Sequence, residues 1–482
     1  MIGVMKRILP YLGVALSVLG LSMFFPMLIG IVDGERHALL FGLLGAAGVA
    51  AGAGLYKWFK ETEDINARDA YLLVTLTWLI AGVYGAVPYL WNGAVSGFHV
   101  AFFESISGFT TTGVSVIADL ENLERSVLLW RSMTFWLGGL GIVVLFVSIL
   151  SMFGNSGLQM FRAEATGPLK EKIVPRIKES AKILWFTYII LTIVIILLLL
   201  LVGMAPFEAV CHAFGTISTG GFSTRNDNIF AFNPLIQLTL AFCAMISGIR
   251  IDLFYAAIKR RALSTFWKNE EFVVYFGIMF GAVLITAAAL WAQGRRLSAA
   301  LIESYVQLTS AITSTGFIST NYTAWPPIGQ LFMLILPFIG ACAGSTGGGL
   351  KVGRVLILIK EIRLTLIRIL HPKAVVSPRI NGRVISAEVV AAVQSFFFIY
   401  IMITVVSTAL FCLAGYDLLT AFSMVGACIN NVGTAFDKME PLMNYGGLPG
   451  WSMFYLPLLM LFGRLELYTI LVLFSKGFWQ NN

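Results

Sequence analysis

Charged side chains are scarce in this chain: Asp, Glu, Lys and Arg together account for 12% of its 482 residues. Soluble globular proteins carry about 25% charged residues, so an ordinary soluble enzyme or soluble binding domain is excluded. Hydrophobic residues make up 58% of the chain. We therefore predict a polytopic membrane protein.

Clusters of metal-ligating or nucleophilic residues are also lacking. The five cysteines (Cys211, Cys243, Cys342, Cys412 and Cys428) and the four histidines are scattered without metal-ligand spacing. We interpret the cysteines as free thiols. With no nucleophile–base pair to support an intramembrane enzyme, we expect a protein that is not an enzyme and has no cofactor of its own. Apart from its net charge of +8, nothing suggests nucleic-acid binding.

Ten apolar runs predict about ten transmembrane helices, because a helix needs about 20 apolar residues to cross the hydrocarbon core of a bilayer. They cover residues 8–32, 37–56, 70–92, 128–153, 183–204, 235–257, 272–292, 328–343, 388–414 and 451–475. The first run follows Lys6 and Arg7, as in a signal peptide. It is longer than a signal core and no cleavage site follows, so we interpret it as a retained helix.

The distribution of Lys and Arg indicates how these helices are oriented. With a cytoplasmic N-terminus, the inner segments hold 24 of these residues and the outer segments hold six. The other three, Arg131, Arg250 and Arg464, lie within apolar runs. Because positive charge favours the cytoplasmic side, we predict a multi-pass protein of the cytoplasmic (inner) membrane with both termini in the cytoplasm.

Four short glycine-centred segments, named loops 1 to 4 here, would then face outward. They are Thr111-Thr112-Gly113 (loop 1), Thr219-Gly220-Gly221 (loop 2), Ser314-Thr315-Gly316 (loop 3) and Asn431-Val432-Gly433 (loop 4). Glycine lets a loop aim successive carbonyl groups at one axis, and ion selectivity filters are rings of backbone carbonyls. We predict that the four loops form one such ring.

Each loop follows an apolar segment that is too short to span a bilayer, which predicts four re-entrant helices. These segments cover residues 98–109, 206–217, 298–312 and 417–429. The order of spanning helix, short helix, loop and second spanning helix thus recurs four times. We predict an all-α protein in which four such repeats surround one pore. Two N-terminal helices and a linker occupy residues 1–69, and the repeats occupy residues 70–158, 159–262, 263–372 and 373–482.

Polar residues recur at fixed distances before the loop glycines. Nine positions before each last glycine stand Glu104, His212, Gln307 and Met424, and thirteen positions before the last three stand Glu208, Glu303 and Thr420. These side chains either hydrogen-bond the loops and gather cations at the pore mouth, or merely cap and orient the short helices.

Unusual residues also follow each loop at similar distances, and we expect them to converge below the ring. They are Gly138-Gly139-Leu140-Gly141, Arg250, Gly347 and Arg464. The run Gly344-Ser345-Thr346-Gly347-Gly348-Gly349, named the glycine segment here, would break a helix at mid-membrane and form a flexible barrier. An intramembrane arginine is costly, so Arg464 is predicted to hinder cations there. The alternatives are close helix packing for the glycines and an ion pair of Arg464 with Glu466 or Asp252.

These residues resemble the Trk/Ktr/HKT superfamily of K⁺ transporters, and the two helices before the first repeat favour its Trk branch. The resemblance covers nearly the whole chain. It rests on Phe102-Phe103-Glu104, residues 107–113, Arg162-Ala163-Glu164 with Gly167-Pro168-Leu169-Lys170, Gly221-Phe222-Ser223-Thr224, residues 342–352, Asn430-Asn431 and Phe462-Gly463-Arg464-Leu465-Glu466.

The resemblance implies a homodimer with one pore per protomer and a cytosolic nucleotide-binding ring that regulates opening. It implies that loops 1 to 4 bind K⁺ through carbonyl oxygens, that the glycine segment is the gate, and that Arg464 is the pore arginine. Glycine in all four loops implies K⁺ selectivity, since serine at such a glycine accompanies Na⁺ transport in this superfamily. Arg250 departs from the family, in which asparagine is common at that position.

The leading hypothesis is therefore K⁺ uptake through a gated pore, driven by the membrane potential. The alternative is a K⁺ symporter tightly coupled to H⁺ or Na⁺, built from discontinuous helices around a midplane site. Inverted repeats would favour that alternative, but each predicted repeat contains an even number of crossings and so keeps one orientation.

Overall fold

The computed structural model describes residues 2–59, 65–139, 141, 177–374, 376–436 and 445–480. Four features of the sequence prediction lie outside these residues. They are Leu140, one of the six Lys and Arg residues of the outer segments (Lys438), the motif within residues 162–170, and the boundary between the first two predicted repeats at residues 158 and 159.

The described residues are mostly helical. The first ten helices are α1 (Ile2–Ser22), α2 (Phe24–Val32), α3 (Ala38–Trp58), α4 (Ala67–Trp91), α5 (Phe98–Phe109), α6 (Arg125–Gly139), α7 (Ile177–Leu201), α8 (Pro206–Ile217), α9 (Pro234–Ser247) and α10 (Ile251–Arg260). The others are α11 (Ser264–Trp267), α12 (Glu270–Ala292), α13 (Leu297–Ile312), α14 (Pro327–Ile339), α15 (Val352–Leu370), α16 (Ala387–Leu413), α17 (Leu418–Ile429), α18 (Ser452–Arg464), α19 (Tyr468–Leu471) and α20 (Lys476–Trp479). Short 3₁₀ turns cover Asn228–Ala231, Tyr322–Ala324 and Val472–Phe474.

One small antiparallel hairpin joins β1 (Arg379–Ile380) to β2 (Arg383–Val384) within the described residues. Its turn residues, Asn381 and Gly382, have φ of 51° and 76°, as a two-residue type I′ turn requires. Asn381 and Glu270 exchange two hydrogen bonds of 2.8 Å, which fix the hairpin to the start of α12.

Six stretches of the described chain are long and apolar enough to cross a membrane, or eight if two bent helix pairs each count as one crossing. The predicted count of ten stays a prediction. Of the two other apolar runs, the run at 128–153 extends beyond the described residues, and the run at 328–343 forms α14, which has only 13 residues.

Two runs expected to be single helices are broken instead. The pair α9 and α10 bends by 84°, and α18 with the residues Tyr468–Phe474 bends by 112°. The first break falls at Gly248 and Arg250, and the second includes Glu466, whose φ of 53° cannot continue a right-handed helix. Residues 340–351 likewise separate α14 from α15. Three helices that follow a loop are thus interrupted at comparable places.

The four short helices α5, α8, α13 and α17 are 12, 12, 16 and 12 residues long. At 1.5 Å per residue a 12-residue helix spans about 18 Å, well short of a hydrocarbon core of about 30 Å. The bounds of α5 and α8 equal the predicted ones, and the bounds of α13 and α17 differ from them by one residue at the start.

Packing arranges the short helices in a cycle. Each contacts the long helix before it, the helix after it, and the helix that follows the preceding loop. Thus α8 packs on α7, α9 and α6, and α13 packs on α12, α14 and α9. Likewise α17 packs on α16, α18 and α14, and α5 packs on α4, α6 and α18, which returns the cycle to its beginning. The four loops are therefore carried toward a common centre.

The N-terminal helices α1 and α3 lie outside this cycle and pack through glycines. A Cβ on Gly52 would overlap the carbonyl oxygen of Gly13, and a Cβ on Gly20 would overlap that of Gly45. Small residues allow such close approach of helices in membranes, where packing drives association.

We expect Gly52→Val to lower the thermal unfolding midpoint of the purified protein in detergent, because overpacking costs about 1–3 kcal/mol. Gly54→Val on the same helix is the matched control, since nothing lies within 4 Å of a Cβ at Gly54. Equal unfolding midpoints for the two variants would contradict close packing of α1 on α3.

Candidate functional site

Each of the four short helices ends in the same backbone cap. At the end of α5, Thr112 N donates to Ser107 O (2.9 Å) and Thr111 N donates to Gly108 O (3.0 Å). The corresponding longer-range bonds after α8, α13 and α17 run from Gly220 to Gly215 (2.8 Å), from Thr315 to Ser310 (2.9 Å) and from Val432 to Ala427 (3.0 Å). This is the Schellman pattern, which reverses the chain after a helix.

The first residue of every loop is left-handed although none is glycine. The φ angles are 55° at Thr111, 56° at Thr219, 56° at Ser314 and 51° at Asn431. This conformation costs an L-residue about 1–2 kcal/mol. Because the same strained angle recurs in all four loops, the surrounding packing must hold it, and strain of this kind clusters at functional sites.

The last residue of every loop is a glycine with positive φ, and these glycines close the loops into a ring. The angles are 87°, 80°, 78° and 78° at Gly113, Gly221, Gly316 and Gly433. A Cβ on each glycine would overlap a backbone oxygen of the next loop: Gly220 O, Thr315 O, Val432 O and Thr112 O, in the same order. Each loop therefore touches its successor, and loop 4 touches loop 1.

The polar residues nine positions before the glycines brace the chain that leaves each loop. Glu104 accepts hydrogen bonds from Val116 N (2.9 Å) and Ser115 Oγ (3.0 Å). His212 Nε2 lies 3.0 Å from Ser223 Oγ, and Gln307 accepts from Ser319 N (3.0 Å). All three side chains are fully buried. Their contacts lie just beyond loops 1, 2 and 3.

In the fourth case the bracing residue is Ser423, which the sequence reasoning missed. Its hydroxyl accepts a hydrogen bond from Phe436 N (3.0 Å), whereas the expected position, Met424, carries no polar group. The polar residues thirteen positions back act differently. Glu208 pairs with Arg225 (2.8 Å), Glu303 pairs with Arg295, and Thr420 donates to the helix-capping Asp417. The Glu208 carboxylate raises the pKa of the Arg225 guanidinium above its ordinary value.

A buried ion pair joins α5 to α6, and its arginine also contacts the chain that follows loop 2. Arg131 Nε donates to Glu104 Oε1 (2.7 Å), and the two side chains are 3% and 0% exposed. Arg131 also donates to Ser223 O (3.0 Å), and its guanidinium carbon lies 3.3 Å from the centroid of the Phe222 ring. In the sequence, Arg131 stood out only as a charged residue within an apolar run, which indicates a functional role. The sequence did not identify Glu104 as its partner.

The glycine segment lies against the places where the short helices end and the loops begin. Gly348 N donates to Ser314 Oγ (2.6 Å), and Thr346 Oγ1 donates to Ile217 O (3.0 Å). A Cβ on Gly348 would overlap Asn430 O. The segment thus reaches the caps of α8, α13 and α17.

Residues beside the glycine segment fasten it to two neighbouring helices. Ala343 N donates to Glu271 Oε1 of α12 (2.5 Å), and Cys342 N donates to Gly248 O at the end of α9 (3.1 Å). Lys351 Nζ lies 3.4 Å from Ser345 O as a donor. Leu350 N donates to Phe338 O of α14 (3.0 Å). The residues on both sides of the segment are thus hydrogen-bonded to neighbouring helices.

Arg464 lies below loop 1 and connects three parts of the site. Its guanidinium donates to Thr346 O (2.8 Å), to Gly138 O and Gly139 O at the end of α6, and to Thr111 Oγ1 (3.4 Å). The C-terminus of a helix carries about half a negative charge, so the ends of the short helices and of α6 favour a cation at this position.

The carboxylates suggested as partners of Arg464 have other arginines as neighbours. Glu466 accepts from Arg354 (2.6 Å), and Asp252 accepts from Arg250 (2.8 Å). Arg250 also lies 3.6 Å from Glu271. Of the positions expected to converge below the loops, the structure brings together Gly138, Gly139, the glycine segment and Arg464. Arg250 lies beside α12, and the residue after it, Ile251, donates its backbone N–H to Gly344 O of the glycine segment (3.4 Å). Gly248, at the end of α9, lies close to the cap of α13, because a Cβ added to Gly248 would lie 3.1 Å from Thr313 Cγ2.

The chain matches one family model over most of its length. This is the TrkH model, described as a cation transport protein, which covers residues 44–482. The chain belongs to the TrkH family. The family consists of transporters, so this member is a multi-pass membrane transporter and not an enzyme.

Individual TrkH-family relatives match over nearly their full lengths. The Trk system potassium uptake protein TrkH of Escherichia coli (strain K12) is 36% identical to this chain. The match covers 95% of this chain and 96% of the E. coli protein. TrkH of Halomonas elongata is 34% identical over 99% of both chains. The crystal structure of the potassium transporter TrkH from Vibrio parahaemolyticus superposes with a TM-score of 0.88 at 32% identity and covers all of both chains. The overall helical fold is thus that of TrkH.

We expect Glu104→Gln to destabilise this TrkH-family protein strongly, because it leaves the buried Arg131 without its carboxylate, at a cost of about 3–5 kcal/mol. The matched control is Glu208→Gln. Its partner Arg225 is 40% exposed, and loss of such a pair costs at most about 1 kcal/mol. Thermal unfolding in detergent measures both, and equal shifts would rule out a special role for the buried pair.

Proposed function

We propose that this protein carries K⁺ into the cell through a single pore, whose selectivity filter is the ring of loops 1 to 4. The backbone carbonyls of the twelve loop residues are its cation ligands, since carbonyl rings select K⁺ by replacing its hydration shell. The observation that carries this proposal is the closed ring: four loops with matching φ angles, each touching the next. The names of the relatives, which are potassium uptake proteins, support K⁺ as the substrate.

The surroundings of the ring suit a cation pathway. Four short helices end at the inner side of the loops, and their C-terminal dipoles lower the energy of a cation there. With both termini in the cytoplasm, the loops face outward and K⁺ enters along the membrane potential, which contributes about 2.3 kcal/mol per 100 mV for each charge. The cytoplasmic membrane is therefore the proposed location.

We propose that the glycine segment and Arg464 are the gate of this pore. The segment lies against three of the four helix caps, and the guanidinium of Arg464 binds both the segment and the end of α6. A fixed positive charge repels a second cation strongly where water is excluded. Arg250 is adjacent to this gate through Glu271, which also binds Ala343 N.

Two assembly partners complete the proposal. We propose that the chain forms a homodimer with one pore in each protomer, and that a cytosolic nucleotide-binding ring of the TrkA type regulates opening. Both rest on the motifs shared with the superfamily. The second is also consistent with the many basic residues in the segments predicted to face the cytoplasm.

The filter assignment is tested by Gly316→Ser. A side chain there would meet Val432 O of loop 4, so we expect a loss of K⁺ over Na⁺ preference with the fold retained. The measurement is uptake of radioactive Rb⁺ into proteoliposomes under an imposed potential, with K⁺ or Na⁺ as competitor. Gly281→Ser is the control, because nothing lies within 4 Å of a Cβ at Gly281. An unchanged K⁺ preference in Gly316→Ser would refute the filter.

The gate assignment is tested by Arg464→Ala. Removing a unit charge from the pathway should raise K⁺ flux by about tenfold or more, because such a charge contributes several kcal/mol at an effective dielectric of about 20. Arg464→Lys keeps the charge and should remain closer to wild-type flux. If Arg464→Ala and wild type conduct equally, the arginine is not a barrier.

The coupled-symporter alternative makes a different prediction for the same vesicles. A pore needs only the membrane potential, whereas a tightly coupled symporter needs an H⁺ or Na⁺ gradient as well. Uptake that depends on potential without any gradient of H⁺ or Na⁺ would support the pore, and uptake that stops without one of these gradients would support the symporter.

A further inference from the structure

The chain enters and leaves the glycine segment side by side. Leu350 N donates to Phe338 O, and Val352 N donates to Ala341 O, both over 3.0 Å. The end of α14 is thereby joined to the start of α15. The glycine segment is a loop with a closed base, and its position depends on what binds that base.

One carboxylate binds the chain on both sides of the segment. Glu271 Oε1 of α12 accepts a hydrogen bond from Ala343 N, just before the segment (2.5 Å). The backbone N–H of Gly353, in the first turn of α15, is hydrogen-bonded to the same carboxylate, and a Cβ on Gly353 would lie 2.9 Å from Oε1. The N-terminus of a helix carries about half a positive charge, which favours a carboxylate there. The Glu271 side chain is only 5% exposed.

The break between α9 and α10 supports the same end of the segment. Cys342 N donates to Gly248 O (3.1 Å), and Ile251 N donates to Gly344 O (3.4 Å). The chain at the break and the chain entering the segment are thus hydrogen-bonded twice. The second and third predicted repeats are joined at this point, directly beside Glu271.

Arg250 lies at this break and faces the carboxylate of Glu271. Its guanidinium lies 3.6 Å from Glu271 Oε2 and 2.8 Å from Asp252 Oδ2. The Arg250 side chain is 12% exposed, and opposite charges attract strongly where little water screens them. The arginine therefore favours the position of Glu271 in which the carboxylate reaches the segment. Asparagine, which is common at this position in the superfamily, carries no charge to do so.

We propose that Glu271 is a positioning residue of the gate, which holds the glycine segment under the ring by binding the chain on both sides of it, and that Arg250 strengthens this hold. The inference rests on the proposed gate. The middle of the segment reaches the helix caps through Thr346 and Gly348. Because the base of a short loop limits how far its middle can move, a base fixed by Glu271 favours the closed position.

Labelling of Cys342 tests whether Glu271 holds the segment. Cys342 is fully buried next to Ala343, so N-ethylmaleimide reaches its thiol only when this part of the chain loosens. A neutral amide accepts weaker hydrogen bonds than a carboxylate, so Glu271→Gln should raise the labelling rate of Cys342 about tenfold. Peptide mass spectrometry identifies the modified cysteine. Cys428, fully buried in the last turn of α17, is the internal control and should keep its wild-type rate.

Ion flux tests whether this hold keeps the pore closed. Basal uptake of radioactive Rb⁺ into proteoliposomes should rise in Glu271→Gln by about the same factor of ten. Glu270→Gln is the matched control on the same helix. Its carboxylate is 38% exposed and binds Lys360 and Asn381 N, so labelling and uptake should stay at wild-type values.

Arg250→Asn tests the contribution of the arginine. It leaves Glu271 in place, so labelling of Cys342 and basal uptake should rise by only about two- to fivefold, the effect of a weak ion pair. Because Arg250 acts through Glu271, adding Arg250→Asn to Glu271→Gln should give no further increase. Arg250→Asn also provides the test by the same measurements if Glu271→Gln does not fold.

Two results would overturn the proposal. If Cys342 in folded Glu271→Gln reacts no faster than in wild type, the carboxylate does not hold the segment. If Cys342 and Cys428 both react faster by the same factor, the substitution loosens the whole fold and the positioning role is wrong. Faster labelling of Cys342 alone with unchanged basal uptake would support the hold of Glu271 on the segment and would refute the proposed gate instead.

Discussion

Irregular backbone can lie at membrane depth only if protein or a water-filled cavity surrounds it, since lipid offers no hydrogen bonds. The rest of this structure depends on that constraint. Each loop is enclosed by its own short helix, by the helices on either side of it, and by the helix that follows the preceding loop. Three of the helices that follow a loop are themselves interrupted, and the freed polar groups bind one another or the glycine segment.

The enclosure also explains how strain is tolerated. Four left-handed residues that are not glycine sit at the start of the loops. Their cost is offset by the hydrogen bonds of the helix caps and by buried braces such as Glu104 with Arg131 and Gln307 with Ser319. The braces bind the chain just after each loop, so they hold the direction in which the loop leaves the ring.

The sequence predicted the short helices closely because their limits are set by local signals. Pro206 begins α8, and Asp417 caps α17 by accepting a hydrogen bond from Thr420 N (3.0 Å). A hydroxyl residue follows the last residue of α5, α8 and α13, and an asparagine follows that of α17. The breaks in the runs at 235–257 and 451–475 were not predicted, because hydropathy reports apolar composition and carries no information on the direction of the chain.

Contacts between residues that are far apart in the sequence could not be predicted either. The pairing of Arg131 with Glu104 depends on how α6 packs on α5, and the bonds of Arg464 join it to residues more than 100 positions away. Ser423 was missed because it lies ten positions before its loop glycine, whereas the bracing residues of the other three repeats lie nine positions before theirs. The ring itself was predicted as a grouping of loops, but the order of contacts within it is a property of the folded chain.

The closed ring has a consequence for how such a chain can evolve. Each loop glycine touches the backbone of the next loop. A substitution that changes the shape of one loop must therefore be matched by a change in the loop that it touches. Divergence after duplication is therefore expected to proceed in adjacent pairs of units. The contact between Gly433 and Thr112 O is the loosest of the four, with 2.7 Å to a Cβ built there. The most divergent unit, with Asn431 and Val432 in its loop, adjoins the joint with the most room.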